Sequence, residues 1–206
     1  MATCTRPNAL TAISAVSCAV HFDQIVALLI QRGQSTPSFA TEAVMKTLAA
    51  WTPLIAAPDG TKVIKTPEFA AFVVPGSEAQ FADENSNNSV DGNGYFTGYN
   101  SVKAKGEFIG LPSDVRTQLA LIEDESRPGL SPGTTAYLVL RDGRLVYSKD
   151  AAGNIGGIPF TNFNVSSLDL QGLKTLNKNA FGLTLDGTWD KTIQVVQPSF
   201  NPRTQL

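Results

Sequence analysis

Residues Thr134 to Tyr147, TTAYLVLRDGRLVY, decide the fold class of this chain. Two runs of β-forming residues, Thr134 to Leu140 and Arg144 to Tyr147, flank the sequence Arg141-Asp142-Gly143. Asp-Gly between β-formers is a strong hairpin signal, because both residues tolerate the backbone conformation that a tight turn needs. The stretch therefore predicts two antiparallel strands joined by a short turn.

A second β signal lies upstream, between Phe96 and Ile109. Apolar and charged residues alternate there with a period of two, which is typical of a strand buried on one face only. A single strand over this range is longer than the usual five or six residues. The residues predicted to face the core are Val102, Ala104, Gly106 and Phe108, and those predicted to face away are Lys103, Lys105 and Glu107.

Several shorter segments also have β character. They are Thr61 to Thr66, Phe69 to Val74, Ile158 to Val165, Phe181 to Leu185, and Lys191 to Val196. The segment Phe22 to Ile30 is apolar throughout, so periodicity does not separate a buried strand from a short helix. Its content of Ile and Val favours the strand.

Two segments have helical character. In the first, Ala40 to Ala57, Thr41 or Ser38 is the expected N-cap and Pro53 is expected to kink or end the helix. Its apolar face is formed by Val44, Leu48 and Trp51. The second helix is expected to begin at Ser113 or Asp114, either of which could cap it, and to end by Arg127. Its apolar stripe comprises Val115, Leu119 and Ile122, with Leu121 widening it.

These elements predict a mainly β protein. The helices do not alternate regularly with the strands, which favours an antiparallel β-sandwich or barrel with one or two flanking helices over a doubly wound sheet. The expected organisation is an extended N-terminal arm over 1–18 and a single β-rich domain over 19–197. A polar loop over 83–94 is inserted in that domain, and a C-terminal tail covers 198–206.

Composition narrows the classes of function. The 206 residues carry 16 basic and 18 acidic side chains, and only 17% are charged, below the usual quarter or so. A surface rich in neutral polar groups costs little free energy to desolvate, so it suits contacts with other proteins. The absence of a global basic field argues against tight nucleic-acid binding, and no apolar run is long enough to predict a membrane span.

The sequence offers little for catalysis. Its one histidine, His21, borders an apolar run, and no Gly-x-Ser-x-Gly or phosphate-binding loop is present. Cys4, Cys18 and His21 supply three possible zinc ligands at an unfamiliar spacing. A Cys4–Cys18 disulfide is possible, but two thiols in a reducing cytoplasm are the favoured interpretation. We therefore expect no enzyme, no catalytic residue, no cofactor and no signal peptide.

The loop over 83–94 partly matches a calcium-binding loop. Oxygen-bearing side chains occupy alternating positions at Asp83, Asn85, Asn87 and Asp91. The match fails where Asn88 replaces the usual glycine and Gly94 replaces the bidentate glutamate. A polar loop without metal is the simpler interpretation.

The order of elements resembles the tail tube, or major tail, proteins of tailed bacteriophages. The features that carry this resemblance are Ile30-Gln31-Arg32, the helix ending at Trp51, Thr61 to Pro67, Pro75-Gly76-Ser77-Glu78 before the Asn-rich loop, Phe108 to Leu121, Asp142-Gly143, and Trp189 before a proline-punctuated tail. They extend over most of the chain as a pattern, without a specific motif.

The resemblance implies a virion subunit, assembled in the host cytoplasm. Such subunits form rings, expected here to be hexamers, which stack into a conduit for DNA. The partners would be copies of the chain itself and other virion proteins, with DNA only as passing, non-specific cargo and no membrane. The loop 83–94 and both termini would be arms. Lys103, Lys105 and Glu107 would line the interior or a subunit boundary.

Two other functions fit the same composition. One is a different virion component, such as a capsid decoration protein, a connector or a fibre base. The other is an extracellular carbohydrate-binding β-sandwich, with calcium in the polar loop and sugar stacking on Tyr95, Tyr99 or Trp189.

Overall fold

The computed structural model describes residues 24–33, 38–82, 94–170 and 176–206. The strands are β1 (Ile25–Arg32), β2 (Val63–Lys65), β3 (Ala70–Val73), β4 (Ala79–Ala82), β5 (Tyr95–Tyr99), β6 (Val102–Ile109), β7 (Thr134–Leu140), β8 (Leu145–Lys149), β9 (Ile155–Gly156), β10 (Ile158–Val165), β11 (Lys178–Leu185) and β12 (Ile193–Val196). The helices are α1 (Glu42–Met45), α2 (Leu48–Ala56), α3 (Ser113–Glu125) and α4 (Pro202–Gln205).

Ten of these strands form one antiparallel sheet within the described residues, and β4 and β5 form a separate pair. The main path runs β12-β8-β7-β10-β11-β6-β3. One edge of β7 pairs with β1, while its other edge pairs with β10 near its start and β8 near its end. The described path ends at β12 and β3 without closing, so the predicted mainly β, antiparallel fold with flanking helices is confirmed, and the structure is not a closed barrel.

The sheet has an apolar core on each side. The first core is formed by the sheet and α3. It includes Leu28 of β1, Phe108 of β6, Phe163 of β10 and Phe181 of β11. The second lies under α1, α2 and the C-terminus. Its largest fully buried members are Leu29, Met45, Trp51, Tyr137, Leu145 and Tyr147.

β1 contacts both cores, as do β7 and β8. The six residues Val26 to Gln31 are all buried, which explains why the sequence shows no alternation there. Leu28 and Ile30 join the first core, whereas Ala27 and Leu29 join the second. The structure thus settles the open choice for this segment in favour of a strand.

The predicted turn at Asp142-Gly143 is confirmed. β7 and β8 pair through Leu138 with Val146 and Val139 with Leu145. Gly143 has a φ of +85°, and the Asp142 carboxylate accepts a hydrogen bond from the Arg144 amide at 3.0 Å. The glycine and the short acidic side chain are what this turn requires.

The alternation on β6 is also confirmed. Val102, Ala104 and Phe108 are buried, and Lys103 and Lys105 are exposed. Glycine is required at position 106 for a steric reason, because a Cβ there would lie 2.5 Å from the ring of Phe181. The missing side chain therefore lets Phe181 cross over the strand and pack 4.6 Å from Phe108, measured between ring centroids.

The prediction of one strand from Phe96 to Ile109 is wrong. β5 does not belong to the main sheet. It pairs with β4, and the main sheet resumes only with β6. The Asn100 amide donates to the Glu78 carbonyl at 2.9 Å and closes the base of the β4–β5 pair. Alternation in sequence cannot distinguish one strand from two that belong to different sheets.

The single helix expected over Ala40 to Ala57 is two short helices. Thr41 caps α1, its hydroxyl accepting from the Val44 amide at 3.3 Å, as expected. The break falls at Thr47, whose backbone is extended and whose hydroxyl donates to the Val44 carbonyl at 2.8 Å. Pro53 lies inside α2 and does not end it.

The second predicted helix is α3. It begins at Ser113 as expected, but neither Ser113 nor Asp114 caps it, since the capping position is occupied by Pro112. Leu119 and Ile122 are buried, whereas Leu121 is 66% exposed. At about 100° per residue Leu121 lies well outside the stripe of Leu119 and Ile122, so the prediction that it widens the apolar face is wrong.

The C-terminal residues pack against their own domain. Phe200 and Pro202 are buried, and Leu206 contacts the second core. Arg203 donates from Nε and Nη2 to the two carboxylate oxygens of Glu68, both at 2.9 Å. The segment 198–206, expected as a C-terminal tail, thus packs on its own domain, and its role as an arm stays a prediction.

Some predicted features lie outside the described residues. They are the N-terminal arm 1–18, Cys4, Cys18, His21 and the loop residues 83–93. In the part of the chain that the structure describes, no helix has the length and apolar character needed to cross a membrane.

Trp51 is the largest side chain of the second core and is completely buried. Its ring centroid lies 4.7 Å from that of Phe39 and 5.1 Å from that of Tyr137, and its indole nitrogen donates to the Met45 carbonyl at 2.8 Å. We expect Trp51→Ala to lower the free energy of unfolding by about 3–5 kcal/mol, because it leaves a cavity and an orphaned carbonyl. Urea denaturation measures this, with exposed Val44→Ala as the near-neutral control.

Tyr137 confers a pH dependence on the same core. Burial raises the pKa of its hydroxyl from 10.0 to about 12. The unfolded chain therefore ionises first, and stability present below pH 10 is lost as the pH rises from about 10 to about 12. Tyr137→Phe should lose less stability over this interval, as measured by urea midpoints at successive pH values. Equal losses in the two proteins would contradict the assignment.

Candidate assembly interface

The β4–β5 hairpin lies apart from the main sheet. Its two strands pair with each other through Ala79–Tyr99 and Phe81–Phe96, and no other described strand pairs with either. Every residue of β4 is exposed, as are all residues of β5 except Gly98. The hairpin is therefore not part of the core of its own subunit.

Three aromatic side chains share one face of this hairpin. Phe81 and Phe96 are opposite each other, with ring centroids 5.9 Å apart, and Tyr99 is 5.2 Å from Phe96. In a regular strand, the side chains of Phe96 and Tyr99 would lie on opposite faces. Here Thr97 forms a β-bulge, which places both side chains on the same face. We call Phe81, Phe96 and Tyr99 the aromatic face.

The base of the hairpin is held against the main domain. A Cβ at Gly187 would lie 2.6 Å from the Asn100 carbonyl oxygen and 2.7 Å from the Tyr99 Cβ, so glycine is needed for this close approach. Lys191 places its ammonium 5.5 Å from the centroid of the Tyr99 ring. The hairpin is thus anchored at one end while its aromatic face remains open.

All three rings of the aromatic face are exposed in the described structure. Phe81, Phe96 and Tyr99 are 49%, 55% and 43% exposed, respectively. A two-stranded hairpin is at best marginally stable alone in water, and it gains stability when its apolar face packs on another element. A contiguous apolar patch of this kind is typical of a protein-protein contact site.

A second apolar feature lies on a different part of the surface. Between α3 and β2 is a groove of about 590 Å³, with the exposed side chains of Ile64 and Leu121 on its walls. No residue of β4 or β5 lines it. We call it the α3–β2 groove.

The rim of the α3–β2 groove is charged. Arg32 donates from Nε and Nη2 to the two carboxylate oxygens of Glu125, at 2.7 and 2.6 Å, and these hydrogen bonds hold the pKa of Glu125 below its usual range. Lys62 and Lys65 lie on the β2 side, with Asp59 nearby. Burial lowers the pKa of Lys65, whose ammonium also donates to the Leu206 carbonyl at 3.2 Å.

The residues predicted to line an interior or boundary lie on the outer face of the sheet. Lys103 and Lys105 border a shallow groove of about 510 Å³ with polar side chains of β10 and β11. Glu107 accepts a 2.7 Å hydrogen bond from Lys178 on β11. Their outward orientation is as predicted, while the role in a lumen or boundary stays a prediction.

The structure gives less information on the other candidate sites. The calcium candidates Asp83, Asn85, Asn87 and Asp91 lie outside the described residues. Among the residues that are described, no three His, Cys, Asp or Glu side chains form a group able to hold a metal ion. Of the proposed sugar-stacking residues, Tyr95 and Tyr99 are exposed, whereas Trp189 is only partly exposed and packs against the first core.

The sequence reasoning missed the aromatic face and the α3–β2 groove. Phe96 was interpreted as the start of the β6 strand and Leu121 as a core residue. A signal for the hairpin was present, because Gly94 and Gly98 bracket Tyr95, Phe96 and Thr97. It did not show whether the aromatic side chains would be buried.

Comparisons with known proteins add one distant similarity. No protein-family model and no curated protein matches the sequence. Among solved structures, the chain is similar to one described as "Virion of native gene transfer agent (GTA) particle". The two chains are 14% identical over 65% of this chain and 88% of the other, with a TM-score of 0.36. At so low a TM-score, the similarity by itself carries no inference about function.

If the aromatic face is a contact surface, its removal should leave the fold intact. We expect Phe81→Ser with Phe96→Ser to change the free energy of unfolding by less than about 1 kcal/mol. Phe181→Ala should instead cost about 3–5 kcal/mol, because that ring is buried and packs on Phe69 and Phe108. Urea denaturation compares them, and a large loss in the hairpin variant would show that the face stabilises its own subunit.

Proposed function

We propose that this protein is a non-enzymatic structural subunit of a phage virion that assembles with copies of itself. The observation that carries the proposal is the aromatic face, which the described residues of its own chain leave exposed. Contact with another subunit would remove the three rings from water and brace a hairpin that is weak alone.

The particular function we propose is that of the tail tube protein. The order of elements resembles that family, and the antiparallel sandwich with flanking helices is the fold that the resemblance implies. The subunits would form rings, with six as the expected number, and the rings would stack into a conduit. Among the described strands, β3 and β12 end the path of the sheet, and such a ring would give their edges partners and reduce the risk of aggregation.

The outer face of β6, β10 and β11 suits the inner wall of a conduit. Lys103 and Lys105 supply a modest positive charge among small polar groups, including Asn164 and Thr184, while Glu107 is paired with Lys178. A dense basic surface would hold DNA tightly by counterion release. A weakly charged, hydrated face would let DNA pass without being retained.

Negative-stain electron microscopy of the purified chain, with mass photometry on the same sample, tests the proposal. We expect stacked rings or tubes for the native protein. The triple variant Phe81→Ser, Phe96→Ser and Tyr99→Ser should remain monomeric with an unchanged circular dichroism spectrum. Leu130→Ser, which replaces an exposed apolar residue outside the hairpin and the groove, is the matched control and should still assemble.

Each other outcome would count against a defined part of the proposal. A native protein that stays monomeric at high concentration would contradict self-assembly and direct attention to glycan binding. Closed trimers that do not stack would contradict the tube and favour a capsid decoration protein. Tubes formed equally well by the triple variant would show that the aromatic face is not the contact.

A further inference from the structure

The aromatic face and the α3–β2 groove are two apolar surfaces on different parts of one subunit. The first projects from the domain on a hairpin, and the second is recessed between a helix and a short strand. Neither strand of the hairpin contributes a residue to the lining of the groove in the described part of the chain. We propose, resting on the self-assembly proposed above, that the hairpin of one copy docks in the α3–β2 groove of the next copy.

The sizes of the two surfaces are compatible. A volume of about 590 Å³ corresponds to roughly twenty water molecules, so the groove has room for more than one aromatic ring. Its walls present Ile64 and Leu121, which are 46% and 66% exposed, to the incoming rings. Docking would therefore cover the exposed apolar side chains of both surfaces in one contact.

The charges of the two surfaces are complementary. Among the described residues of the hairpin and its base, 78–82 and 94–100, Glu78 is acidic and none is basic. The groove is lined by three basic residues, Arg32, Lys62 and Lys65, against two acidic ones, Asp59 and Glu125. The opposite balance favours the approach of the hairpin and disfavours a contact between two hairpins.

The contact is heterologous, since it joins two different surfaces. Such contacts do not terminate in a dimer; they propagate until a ring closes or a filament grows. Three half-exposed aromatic side chains remove roughly 300 Å² from water, below the roughly 800 Å² per partner of a standard interface. A single contact is therefore weak, and the closed assembly gains strength from several contacts acting together.

A mixing experiment tests the docking directly. The hairpin variant carries Phe81→Ser, Phe96→Ser and Tyr99→Ser and keeps its groove, while the groove variant carries Ile64→Glu and Leu121→Glu and keeps its hairpin. Both sets of positions are exposed, so circular dichroism and urea midpoints should match those of the native protein. Sedimentation velocity at tens of micromolar, where a weak contact is populated, reports the species present.

We expect each variant alone to be monomeric and the equimolar mixture to form heterodimers that grow no further. The mixture contains one intact hairpin and one intact groove per pair, which permits a single contact. Native protein that assembles while the mixture stays monomeric would overturn the docking and leave self-assembly standing. Assembly of the groove variant by itself would also overturn it, whereas monomeric native protein would refute both proposals.

Photo-cross-linking gives a second readout that does not depend on the groove variant. Benzoylphenylalanine in place of Phe96 keeps an aromatic group on the hairpin. Mixed with isotope-labelled native chains, it should cross-link to labelled peptides from 58–65 and 115–125. Cross-links confined to other peptides would overturn the assignment of the groove.

Discussion

The burial of β1 on both faces is the constraint on which the rest of the structure depends. β1 pairs with β7 at seven positions from Ile25 to Arg32, while its side chains divide between the two cores. A register shift of one residue would exchange the side chains that face the two cores and would move Gln31 to the opposite face of the strand. Gln31 fixes the register, because its buried amide donates to the Thr61 carbonyl at 2.6 Å and accepts from Ser38 at 2.8 Å.

The same strand frames the surface that we propose as a docking groove. β1 ends at Arg32, whose two hydrogen bonds to Glu125 tie the strand to the end of α3. β2 pairs with β1 and supplies Ile64 on the opposite wall. Because β1 belongs to the core and also borders the groove, the packing of the core determines the shape of the groove. The β4–β5 hairpin, in contrast, is attached only at its base. A recess framed by the core and a projection anchored at its base are suited to joining identical subunits.

Local patterns in the sequence predicted much of the architecture. Asp142-Gly143 gave the turn between β7 and β8, and the alternation from Val102 to Phe108 gave the buried face of β6. Both patterns depend on neighbours in the chain, on turn geometry in one case and on the strand period in the other. The candidate interface is harder to predict from the sequence. Lys103, Lys105 and Glu107 lie on an outer face as predicted. The sequence pattern does not single out Phe81, and it assigns Phe96 and Leu121 to half-buried elements of the main domain.

By itself the sequence determined the antiparallel, mainly β class, the positions of most strands and which side of β6 and of α3 is buried. Those properties follow from short-range periodicity and turn residues. Only the tertiary structure decided that Tyr95–Tyr99 leaves the main sheet, that Leu121 faces solvent and that the last residues dock through Arg203 on Glu68. An exposed aromatic side chain and a buried one have the same letter in the sequence, and the difference arises from elements distant in the chain.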